Sequence, residues 1–164
     1  MGSNSQLTTA VHALCWLELA ARRGRTPLTS AEVASSLDNN PVQVRQSLAR
    51  LREAGLVRVT GRGPGTGWAL TRAADRITVL DVHDALGESG PFALHSHAPN
   101  PECPVGAGIR PVLTEVYNGV QAAMENQLRT WTVADVLDEI LTDAADPADR
   151  LLKGSTADAR RSAS

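Results

Sequence analysis

The stretch that decides the fold is Leu48-Ala49-Arg50-Leu51-Arg52-Glu53-Ala54-Gly55-Leu56-Val57-Arg58-Val59-Thr60-Gly61-Arg62-Gly63-Pro64-Gly65-Thr66-Gly67-Trp68-Ala69-Leu70-Thr71. Its first half has a helical period that stops at Gly55, a residue that can take the left-handed conformation closing a helix. From Leu56 the period drops to two. Residues 56–60 and 68–71 alternate as strands, and the Gly/Pro-rich segment 61–67 turns one back on the other. A helix that runs into a hairpin with a flexible, arginine-bearing tip constrains what can precede it.

Upstream, Asn40 can cap this helix and Pro41 suits its first position. Pro41, Val44, Leu48 and Leu51 form the expected inward stripe. Val42, Gln46, Ala49 and Glu53 face away, flanked by Gln43, Arg45 and Arg50. Thr29 or Ser30 can cap a shorter helix from Ala31 to Leu37. Before it, Gln6 to Arg23 is helical, with Leu7, Ala10, Val11, Leu14, Leu17 and Ala21 on one face. Thr8, His12, Cys15, Trp16 and Leu19 form a second face, which predicts a second packing partner, either in this chain or in a partner chain. The polar Met1–Ser5 leaves open a partial cloning remnant.

Downstream, Thr78 caps a short helix through Leu86. An irregular stretch from Gly87 to about Ile109 follows, with four prolines, His95, His97 and Cys103; a loop of that length is more often functional than accidental. Arg110 to Leu128 is helical again, with Leu113, Val116, Val120, Met124 and Leu128 on one stripe, a seam suited to dimerisation. Thr132 caps a last helix, Val133 to Leu141. The Ala/Asp/Ser-rich tail 143–164 is expected to be disordered.

The chain has 164 residues, enough for one domain with an appendage and too few for a large catalytic barrel. Its formal charge of -2 hides an asymmetry. Up to Arg76 there are ten arginines and five carboxylates; from Ile77 on there are six basic and thirteen acidic residues. Lys153 is the single lysine, so arginine carries any phosphate contact. No membrane span or leader pattern stands out, which predicts a cytoplasmic protein. Two cysteines are too few for a disulfide scaffold.

Three helices, then a hairpin, with a basic third helix, is the order of a winged helix-turn-helix. The fold class expected is mostly α with a small β-hairpin wing, plus a long dimerisation helix. The third helix fits a major groove and the wing tip approaches backbone or minor groove. The DNA-binding candidates are Ser30, Pro41, Val42, Gln43, Arg45, Gln46, Arg50, Arg62 and Thr66. A solvated basic face would account for a lone helix of this kind; the ordered combination with the wing favours DNA.

The runs Leu48–Val57, Arg62–Trp68 and Leu70-Thr71-Arg72 resemble the IscR/NsrR/CymR family of winged-helix transcriptional regulators, whose pattern is L-x-x-L-x-x-A-G-L-V followed by R-G-x-x-G-G-Y-x-L. Thr66-Gly67 replaces the paired glycine and Trp68 the tyrosine. Ile77 to Val82 and the helix from Arg110 match the family's following elements, so the resemblance covers about Gln6 to Leu141. It implies a homodimer on double-stranded DNA with a palindromic operator, a winged domain over 1–76, and sensor loop and dimerisation helices over 77–142.

Family members that carry an iron-sulfur cluster use three closely spaced cysteines in the loop before the dimerisation helix. This chain has one, in Asn100-Pro101-Glu102-Cys103-Pro104-Val105-Gly106, and so resembles the cluster-free members with a C-P-V-G loop. The resemblance implies a regulator, by expectation a repressor, with no cofactor, whose Cys103 reacts with an oxidant or small electrophile. His95 and His97 are candidates for tuning that thiol. Cys103 can instead be a simple packing residue. Cys15 can be inert or pair with Cys103. His12 shares a helix face with Cys15, and with Cys103, His95 or His97 it offers a mixed His/Cys metal or cluster site as an alternative. His83 reads as a surface histidine. A winged helix that binds only protein is a further alternative, against which the basic first half argues. An enzyme is disfavoured: the glycine segment 61–67 lies between strands and lacks both the dinucleotide spacing and the Lys-Ser/Thr ending of a phosphate loop.

Overall fold

Thr29 starts the helix that follows it with a reciprocal cap. Its side chain accepts from the Glu32 amide while the Glu32 carboxylate accepts from the Thr29 amide and hydroxyl. The computed structural model describes residues 3–87 and 90–145. In chain order these form α1 (Ser3–Arg22), α2 (Ser30–Leu37), α3 (Pro41–Glu53), β1 (Val57–Thr60), β2 (Gly67–Leu70), α4 (Val79–Ala85), α5 (Pro104–Arg129) and α6 (Val133–Ala145). Asn40 caps α3 through the Val42 amide at 2.8 Å, with Pro41 at the first position as expected. The strands pair antiparallel, Val57 opposite Leu70 and Thr60 opposite Gly67.

A third piece of backbone joins the hairpin. Leu28 exchanges two hydrogen bonds with Trp68, of 3.1 and 2.7 Å, and the Trp68 indole donates to Ser30 Oγ at 2.9 Å. Gly67 permits this approach, because a Cβ there would sit 2.5 Å from the Leu28 carbonyl oxygen. The wing is thereby fastened to the start of α2.

One apolar core runs through the chain. Leu14, Val33, Val44, Leu48, Leu51, Leu56 and Val57 belong to it, as do Ile77, Val82, Val133 and Leu137, so the core crosses the boundary drawn at Arg76. Helix α1 lies at the centre and touches α2, α3, β2, α4 and α6. The second face is shared within the same chain: Cys15 meets Val133 of α6, whereas His12 meets Ser36 and Trp16 lies beside Glu32 and Ser35 of α2. Val79 donates to the Trp131 carbonyl and Val133 to the Ile77 carbonyl, each at 2.8 Å, which ties the start of α4 to the start of α6.

Several expectations change. Pro41 is exposed at the tip of α3, outside the inward stripe, because the first turn projects beyond the core. Ala21 is exposed, and Ala13 and Ala20 are buried instead. His83 is buried at 5 % exposure, its Nδ1 3.2 Å from the Asp84 carboxylate. Helix α5 begins at Pro104, six residues before Arg110, since proline is compatible with the first turn. Helix α6 continues to Ala145, past both Leu141 and the expected start of the tail at Asp143; residues 146–164 of that tail lie outside the described residues, as do Met1 and Gly2. Among the described residues no helix is long and apolar enough to cross a membrane.

Candidate nucleic-acid interface and sensor loop

Burial of Val44, Leu48 and Leu51 against the core fixes the roll of α3 and turns its opposite side outward. Val42, Gln43, Arg45 and Gln46 are exposed there. Gln43, Arg45 and Gln46 make no hydrogen bond or ion pair among the described residues, so their donors are uncommitted. Arg50 differs. Its guanidinium donates to Gln6 Oε1 at 3.1 Å and to the Leu86 carbonyl at 3.3 Å, joining α3 to α1 and to the end of α4.

Gln43, Gln46 and Arg50 also line a polar groove of about 360 Å³, closed on the other side by Ser5, Gln6 and Thr9 of α1. At the wing, Arg62 and Thr66 are exposed on either side of a single helical turn, residues 63–65, with the Thr66 amide on the Gly63 carbonyl at 3.1 Å. Ser30 is half-buried and already accepts from Trp68. Thus Gln43, Arg45, Gln46, Arg62 and Thr66 stand free on the outside, whereas Ser30 and Arg50 also hold the fold together.

Cys103 occupies the capping position of α5 and is exposed; its carbonyl accepts from the Ala107 amide at 2.9 Å. The turn before it is tight. Cys103 donates its amide to the Asn100 carbonyl at 3.3 Å, and a side chain at Gly106 would collide with that same carbonyl. His95 and His97 are exposed, with ring centroids 5.9 Å apart. Phe92 rests on Tyr117 of α5 at 5.3 Å.

The other sensor candidates are not drawn to this loop. Cys15 is buried between α1 and α6, its thiol 3.7 Å from the Val133 carbonyl, and burial pushes its pKa up to about 11. Both cysteines are free thiols. His12 lies 3.2 Å from Ser36 Oγ on α2. Among the described residues no three His, Cys, Asp or Glu side chains come together as a metal-ligand set. The three-cysteine pattern of cluster-bearing members needs three thiolates on one site, and one protomer offers a single exposed thiol, so the chain lacks that donor set.

Comparison with known proteins agrees with the architecture. The family model described as "Rrf2: Iron-dependent Transcriptional regulator" matches residues 3–139. The chain is 34% identical over 139 residues to the "Putative HTH-type transcriptional regulator YwnA" of Bacillus subtilis (strain 168), covering 84% of this chain and 98% of that protein. It is 30% identical over 128 residues to the HTH-type transcriptional regulator IscR of Cereibacter sphaeroides, covering 78% and 81%. The solved structure of T. potens IscR superposes with a TM-score of 0.63 at 24% identity, over 85% of this chain and 88% of that one. These relatives are transcriptional regulators by name, and the chain belongs to the Rrf2 family of DNA-binding transcriptional regulators.

Proposed function

We propose that the protein is a homodimeric, operator-binding repressor whose affinity for a palindromic duplex changes when Cys103 is modified. The observation that carries the DNA contact is the free outer surface of α3, where Gln43, Arg45 and Gln46 have no internal partner. Two-fold symmetry then sets one α3 per half-site, one helical turn or a multiple of it apart. Pro41, Val42, Arg62 and Thr66 complete the proposed contact, with Ser30 and Arg50 as edge residues.

Helix α5 supports the dimer. None of its 26 residues is buried, and Val105, Val112, Val116 and Val120 stand exposed along it. A second copy of α5 is the proposed cover for that row. Exposure of Cys103 at the entrance to the same helix supports its role as sensor. A quinone adds to the thiolate with no leaving group; a peroxide takes two electrons from sulfur, leaving sulfenic acid and water. Either adduct enlarges the residue at the point where the loop meets α5.

Electrophoretic mobility shift with a duplex selected from a random pool tests both parts. Binding should be lost in Arg45→Ala with the fold intact. Quinone or peroxide should release the wild type and leave Cys103→Ser bound; equal release of the two proteins would end the thiol assignment.

A further inference from the structure

The outer face of α3 carries an apolar side chain that the fold does not use. Val44, Leu48 and Leu51 are at most 1 % exposed, whereas Val42 is 50 % exposed. At about 100° per residue Val42 lies nearly opposite the centre of the buried stripe, with Gln46 one turn further along the same side. Its amide is held by Asn40 Oδ1 at 2.8 Å. A β-branched side chain on a helix has essentially one preferred rotamer. Val42 is therefore an ordered apolar projection at the leading end of α3, beside the uncommitted side chains of Gln43, Arg45 and Gln46.

A base pair seen from the major groove offers donors and acceptors, and one apolar group: the C5 methyl of thymine. Against any other edge, a valine would desolvate polar atoms and give them no partner, which is unfavourable. We propose that Val42 is a specificity-determining residue that packs on a thymine methyl in each half-site. This rests on the reading that α3 enters the major groove.

The test removes only the methyl. A duplex selected from a random pool with the full-length protein is remade with each thymine replaced singly by deoxyuridine, and binding is followed by fluorescence anisotropy. One symmetry-related thymine should weaken wild-type binding about fourfold per half-site, the effect of burying one methyl group. Val42→Ala should bind both duplexes equally, and Val42→Ile should keep the discrimination. If no thymine discriminates, or if Val42→Ala discriminates like wild type, the proposal is overturned. Arg45→Ala on the same selected duplex separates the two levels. Undiminished binding there overturns the placement of α3 itself, whereas lost binding without a deoxyuridine effect overturns the thymine contact alone.

Discussion

Two thiols in one chain have opposite environments, and the difference is measurable. Cys15 sits in the core between α1 and α6, where burial favours the neutral thiol and raises its pKa to about 11, so its nucleophilic form is scarce near neutrality. Cys103 is exposed. A maleimide at pH 7.5 should label one thiol per folded chain and two after denaturation, with Cys103→Ser reducing the first count to zero. The raised pKa also has a sign for stability. The folded state holds the Cys15 proton more tightly than the unfolded chain does, so this contribution is complete below about pH 9 and is lost as pH rises toward 11. Urea titrations from pH 8 to 11 should show stability falling in the wild type more steeply than in Cys15→Ala. A helical wheel put Cys15 on a second packing face but could not name α6 as its neighbour, since that contact spans 118 residues of sequence.

At the level of elements, the chain was most legible where chemistry is local. Asn40-Pro41, Thr78 and Thr132 cap helices as their side chains suggest, because a cap needs only residues within one turn. The Gly-rich wing was readable for the same reason. The Leu28–Trp68 bridge was not, since a single paired residue has no period, and the entrance to α5 was masked by Gly106, Gly108 and Pro111, all poor in helix interiors. Substitutions can test the bridge. Gly67→Ala places a methyl against the Leu28 backbone and should cost about 1–3 kcal/mol of stability, read as a lower urea midpoint. Trp68→Phe removes the donor to Ser30 and should cost about 1 kcal/mol while leaving the hairpin register in place.

On the scale of the whole molecule, charge and shape follow different divisions. The basic and acidic halves meet near Arg76, yet the core continues across that point into α4 and α6. Operator affinity should fall steeply between about 50 and 200 mM salt, as counterions return to the phosphates. If α5 pairs with a second copy as proposed, Val116→Glu, in its exposed row, should leave a monomer in light scattering where the wild type is a dimer, without lowering the helical content. The backbone bonds from Val79 to the Trp131 carbonyl and from Val133 to the Ile77 carbonyl close the two ends of an excursion of the chain. The chain leaves the core after Leu86, passes along the loop and α5, and returns to the core at Val133, so α5 is a handle attached at both ends. A protease cut between Phe92 and Asn100 should therefore leave two fragments that elute together on a native column and part only in denaturant. The winged unit and the handle would remain one body after the backbone between them is broken.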